Sequence, residues 1–213
     1  MRLKLKDSFS YIDLSDEVGR TSNTRSRAGK KAKTKGASFE RRVANALGEW
    51  WEVKFYRTPQ SGGSHLKEGY ELAGDIATPA QDFRFHVECK NQEAWTIHGL
   101  MTSEKSAVWK WWEQTCSECP KERIPLLIFT KNHLPTFVML ENDLHEILWN
   151  NYWSAQTNKG QPTNVSQVPN EFEDRAFISV NNITIITFDR LLAFSKSVLI
   201  DTFKEKGKLD VKR

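Results

Sequence analysis

The clearest periodicity in the chain lies in residues 36–51, GASFERRVANALGEWW, where Phe39, Val43, Leu47 and Trp50 recur at spacings of three and four. That is the pattern of an amphipathic helix, with Ser38 or Thr34 offering a side-chain oxygen to begin it. Glu40 falls in line with Val43, Leu47 and Trp51, at the margin of the core-facing stripe rather than on the solvent face. A carboxylate in that position looks inward.

Shorter apolar runs follow. VKFYRT (53–58) reads as a strand and PQSGGSHLKEGYELAG (59–74) as a loop punctuated by Pro59 and glycines. Two strands, Asp75–Thr78 and Phe83–Asn91, are joined by PAQD as a turn. SEKSAVWKWWEQTCSE (103–118) favours a helix, and IPLLIFTKN (124–132) and PTFVMLEND (135–143) favour strands, with a short helix near 142–149. The polar stretch 154–170 reads as a loop, AFISVNNITIITF (176–188) as a hairpin through Asn181-Asn182, and RLLAFSKSVLIDTF (190–203) as a closing helix. The order predicts an α/β (α+β) fold, a central mixed sheet flanked by helices. Three segments follow from the pattern: a flexible arm over 1–34, a core over 35–150, and an extension over 151–213 packed on that core.

At 213 residues, with 8 Trp and 12 Phe, the chain has enough apolar surface for one well-filled core. No run approaches the roughly 18 apolar residues that a membrane span needs, and the N-terminus MRLKLKDSFSYIDLSD lacks a secretory pattern. An intracellular protein with no membrane partner is expected. Cys89, Cys116 and Cys119 are too few and odd in number for a disulfide framework. Net charge is +4, yet residues 20–35 hold seven Lys or Arg and no acid, so the remainder of the chain is net negative. A basic segment without apolar periodicity gains counterion-release free energy on a polyanion, which points to nucleic acid. Arg25, Arg27, Lys30, Lys31, Lys33 and Lys35 are its candidate phosphate contacts.

The candidate chemistry sits in GDIATPAQDFRFHVECKNQ (74–92). In a strand, Glu88 and Lys90 share one face while Val87 and Cys89 share the other. Asp75 brings a second acid into reach and Glu40 a third. Converging carboxylates repel and raise one another's pKa, a conflict that a divalent cation resolves. Oxygen ligands suit Mg2+ or Mn2+, with Asp75 and Glu88 as direct ligands and the Cys89 main-chain carbonyl as a further oxygen. Lys90 can orient a water and stabilise developing negative charge, which predicts phosphodiester hydrolysis.

Gly74-Asp75 followed by Glu88-Cys89-Lys90 resembles the bipartite motif of the PD-(D/E)XK nuclease superfamily. KGASFERRVANAL (35–47), FYRTPQSGG (55–63), AGDI (73–76) and HVECKN (86–91), in that order, resemble the Holliday junction resolvases of the archaeal and viral type. The resemblance covers about residues 34–140. It implies a restriction-endonuclease-like core, metal-site roles for Glu40, Asp75 and Glu88, and a nucleophile-assisting Lys90. It further implies that Ser61 reaches the scissile phosphate, that Arg57 contacts the DNA backbone, and that a homodimer cuts branched DNA in recombination or repair. Gly74 stands where the superfamily name has proline, a position taken to shape the turn only. Another nuclease of the superfamily, acting on duplex or flap DNA, and a non-catalytic nucleic-acid-binding protein are the alternative readings. The Cys116/Cys119 pair has the spacing of half a zinc site, while Trp109, Trp111 and Trp112 read as core rather than as a base-stacking platform.

Overall fold

In the computed structural model, the described residues are 15–58, 69–157 and 178–210, with side chains described over 29–58, 69–156 and 178–207. The chain divides into two units, residues 1–35 and 36–213. In the first, the backbone from Ser15 onward is helical and forms the N-terminal part of α1 (Ser15–Trp51). Within the arm expected to be flexible over 1–34, residues 15–34 are thus helical, and residues 1–14 lie outside the described residues. Lys, Arg and Ala are among the best helix formers, and the polarity that keeps the segment out of a core does not oppose helix formation. Thr34 begins nothing: its hydroxyl donates to the Lys30 carbonyl at 2.9 Å inside the helix. Lys30, Lys31 and Lys33 are exposed and Lys35 is half-buried.

In the second unit, the α1 stripe is the one the periodicity predicts: Phe39, Glu40, Val43, Ala44, Leu47 and Trp51 are all buried. The helix stops in a Schellman motif, in which Val53 N–H donates to Gly48 O and Glu52 N–H to Glu49 O while Glu52 takes a φ of 59°. That motif consumes Val53 and Lys54, so the strand expected over 53–58 shrinks to β1 (Tyr56–Arg57). With β2 (Glu71–Ala73) and β3 (Ile76–Thr78) it forms a three-stranded antiparallel sheet in the order β1-β3-β2.

A second sheet has five strands: β4 (Phe85–Asn91), β5 (Ile124–Thr130), β6 (Phe137–Glu141), β7 (Ile178–Val180) and β8 (Ile183–Thr187), in the order β4-β5-β6-β8-β7. Among the described strands of this sheet, only β4 and β5 are parallel. The helices are α2 (Ile97–Thr102), α3 (Ala107–Glu118), α4 (Asn142–Thr157), α5 (Phe188–Leu192) and α6 (Lys196–Asp210). Strand alternation splits the core in two. Val87, Leu126, Ile128, Val138 and Ile186 pack with α1, α4, α5 and α6, whereas Leu127, Phe129, Met139 and Ile185 pack with Trp95, α2 and α3. This is the mixed, helix-flanked α+β sheet of a restriction-endonuclease-like core.

Other expectations shift in detail. The Asn181-Asn182 hairpin is present, with φ of 50° and 62° as a type I′ turn requires. The short helix near 142–149 runs on to Thr157 because Leu148 is buried and Trp149 and Tyr152 pack against the core, so the loop begins later than residue 154 and its remainder lies outside the described residues. A boundary at residue 150 therefore falls inside α4. The segment beyond it supplies β7 and β8 of the central sheet and the core residues Leu191, Phe194, Val198, Leu199 and Phe203. The closing helix over 190–203 is two helices, α5 and α6, broken around Ala193–Ser195.

The two sheets meet at Gly74, which forms a parallel bridge with Val87. Gly74 has φ +77°, and a Cβ built there would lie 2.3 Å from the Val87 carbonyl oxygen. The position does more than shape a turn, and proline, locked near φ −65°, cannot occupy it in this conformation. Gly74→Ala is expected to destabilise the fold by about 2 kcal/mol or more, read as a lowered urea midpoint at an unchanged slope.

Candidate active site

Asp75 is fixed from several sides. Its N–H donates to Val87 O at 2.8 Å and its carbonyl accepts from Thr58 N–H at 2.8 Å. The Thr58 hydroxyl donates to Gly74 O at 2.9 Å, and the Asp75 carboxylate Oδ2 accepts from the Cys89 main-chain N–H at 2.8 Å. The side chain thus continues, along the edge of β4, the pairing that the Gly74–Val87 bridge begins. Main-chain groups two residues apart in a strand face the same side, so the Cys89 carbonyl also faces the Asp75 edge.

Glu88 and Lys90 share the opposite strand face from Cys89. Their register partners Leu127 and Phe129 place them on the side of α2 and α3. The Lys90 ammonium donates to Glu88 Oε2 at 3.1 Å, with only 18% and 9% of the two side chains exposed. Val87 and Cys89 point into the core on the α1 side. Burial, followed by the nearby Asp75, Glu40 and Glu88 carboxylates, pushes the Cys89 thiol far above its ordinary range, so it is a protonated core thiol and no nucleophile.

Glu40 enters from α1. It is buried, and its Oε2 accepts from the Nε–H of Arg57 on β1. Nothing in the sequence announces this pairing, which joins residues 17 positions apart on different elements. Thr58 was likewise missed. It reads as a residue before a proline, yet it holds both Gly74 and Asp75.

The acids outnumber what the local cations offset at Asp75. Burial, then the Glu88 charge and, less strongly, that of Glu40, push the Asp75 carboxyl up to about 7, against the opposing Cys89 N–H and Lys90. Two carboxylates and an outward main-chain carbonyl, all oxygen and short of positive charge, are a donor set that fits a hard divalent cation such as Mg2+ or Mn2+. Among the described residues, no three His, Cys, Asp or Glu side chains are gathered into a ready-made cation cage. Glu40, expected as a third metal acid, is paired with Arg57.

The remaining candidates are dispersed. Ser61 lies outside the described residues, as do the side chains of Arg25 and Arg27. Cys116 and Cys119 are free thiols, pushed up to about 11 chiefly by burial. Trp111 and Trp112 are buried and the Trp109 indole donates to Leu100 O at 3.0 Å, so the tryptophans belong to the core. No described helix is long and apolar enough to cross a membrane.

Residues 31–201 match the family model described as "Phage putative PDDEXK endonuclease". No curated protein and no solved structure matches the chain.

The raised Asp75 carboxyl makes a pH prediction. Between about pH 4 and 7 the native state holds a proton that the unfolded chain has released, so without metal this group lowers stability as pH rises through that window. Denaturation in EDTA across the window is expected to show a loss of up to about 1.4 kcal/mol per pH unit. Asp75→Asn should flatten that slope, and added Mg2+ should stabilise the wild type at pH 7.5 but not the variant.

Proposed function

The chain belongs to the phage PDDEXK endonuclease family, and from that premise we propose that it is a metal-dependent DNA endonuclease whose preferred substrate is a four-way junction. The observation that carries this reading is the convergence of Asp75, Glu88 and Lys90 where the two sheets join, with the Asp75 carboxyl pushed up to about 7. The order of the four motifs along the chain, which resembles that of Holliday junction resolvases, supports the branched substrate and a homodimer that cuts two opposed strands.

Asp75 and Glu88 would hold Mg2+ or Mn2+, with the Cys89 carbonyl as a further oxygen. Such an ion supplies Lewis acidity toward a phosphate oxygen and lowers the pKa of an attacking water. Lys90 is tethered by Glu88, so its ammonium stays next to the acids rather than sweeping through solvent. There it can orient the water and offset the negative charge that builds on the phosphate oxygens. Hydrolysis forms one P–O bond to the water oxygen and breaks the P–O bond to a sugar oxygen. Asp75 is anchored through both its main chain and its carboxylate, so its free oxygen is presented with little reorganisation.

The Arg57 side chain, part of its surface exposed and its guanidinium paired with Glu40, would contact a DNA phosphate, and Ser61 is a second candidate for that contact. In the first unit, Lys30, Lys31, Lys33 and Lys35, with Arg25 and Arg27, would add salt-dependent affinity without reading sequence.

A cleavage assay on four-way junction, flap, single-strand and linear duplex DNA, with Mg2+, Mn2+ or EDTA, tests the reading. Paired symmetric nicks in the junction alone, abolished by EDTA, are expected. Asp75→Asn and Glu88→Gln should each fold and bind junction while losing at least about 100-fold in cleavage. Undiminished cutting by either variant would overturn the site. Equal cutting of every form would overturn the junction preference, and no cutting of any form would make the protein a nucleic-acid binder.

A further inference from the structure

Glu40 and Arg57 were each assigned a partner outside the chain, a cation for the carboxylate and a DNA phosphate for the guanidinium. In the structure they hold one another. Glu40 is buried, so an unpaired carboxylate there would carry a large desolvation penalty, and the Arg57 guanidinium removes it. The Arg57 side chain keeps 22% of its surface exposed, so the pair has one side open to solvent. Asp75 senses the Glu40 charge, which places that carboxylate within electrostatic range of the acids proposed to bind the cation.

Resting on the proposed cation site at Asp75 and Glu88, we infer that the Glu40–Arg57 ion pair couples cation loading to DNA binding. In the DNA-free protein Arg57 neutralises Glu40, so that carboxylate adds little attraction at the cation site and the cation binds weakly. A DNA phosphate that takes the guanidinium frees the Glu40 charge to face the cation. Cation and phosphate then strengthen each other's binding by the same factor, as linkage requires. The device suits a nuclease, because the site is completed only where a phosphodiester is already in place.

Calorimetric titration of the full chain with Ca2+ tests this, without DNA and with a four-way junction checked intact by gel, after subtracting binding to the junction alone. Without DNA, Arg57→Gln should bind Ca2+ about ten-fold more tightly than the wild type. Arg41→Gln, which removes an equal charge from an exposed position on α1, should bind as the wild type does. The junction should tighten Ca2+ binding by about ten-fold in the wild type and by less than about two-fold in Arg57→Gln and in Glu40→Gln. Wild-type affinity in DNA-free Arg57→Gln, equal tightening by Arg41→Gln, or an undiminished junction effect in Glu40→Gln would each overturn the coupling. Asp75→Asn separates this failure from a deeper one. Retention of Ca2+ affinity in that variant would overturn the cation site itself, and the coupling with it.

Discussion

The hydrogen bond from the Cys89 main-chain N–H to the Asp75 carboxylate is the contact on which the site depends. β4 lies at one end of the five-stranded sheet, and its outer edge would otherwise present an open row of main-chain groups. The bridge at Gly74 pairs part of that edge, the Asp75 N–H pairs Val87 O, and the Asp75 side chain takes the next donor along. A carboxylate is used here as one more rung of a sheet. Its placement draws an acid into the margin of the core, within range of Glu88 and Glu40, and the raised carboxyl is the electrostatic consequence.

The neighbouring features follow from that contact. Gly74 must take a positive φ and carry no Cβ, because the Val87 carbonyl occupies the space a side chain would need. Thr58 ties the same turn to β1, so the residue that fixes Asp75 is the immediate neighbour of Arg57, which pairs with Glu40. Burying a large apolar side chain contributes about 1.5–3 kcal/mol, and α1 buries Phe39, Val43, Leu47 and Trp51. That packing is ample to hold one paired carboxylate on the same stripe.

Features encoded by local periodicity were legible in the sequence. The α1 stripe, the alternation that separates Glu88 and Lys90 from Val87 and Cys89, and the Asn181-Asn182 hairpin each arise from residues close together in the chain, where spacing fixes direction. The pairing of Asp75 with the Cys89 amide, and of Glu40 with Arg57, depends on how separate elements pack, and neither leaves a trace in composition or spacing. The helix over 15–35 was hidden for another reason. Helix propensity in a lysine- and arginine-rich segment does not depend on an apolar face, so a reading based on hydrophobic periodicity passes over it. The last third of the chain looked like an addition because its strands follow a long polar stretch, yet β8 lies against β6 and must be present for that strand to be paired on both sides.

The spacing Glu88-Cys89-Lys90 is often treated as a chemical pattern, but strand geometry explains it more fully. Two side chains that must act on one face have to be two residues apart, so the residue between them turns its side chain the other way. Here that side chain lies in the α1 side of the core, where a charge would be buried and a small apolar thiol fits. The main chain of the same residue faces along the sheet edge, where its N–H holds Asp75. The skipped residue is therefore the joint of the site: its side chain anchors the strand to the core, and its amide fixes the acid from the other sheet. Any residue there must be compatible with burial on one side and leave a free amide on the other, which excludes proline for lack of the N–H and charged residues for the penalty of burial.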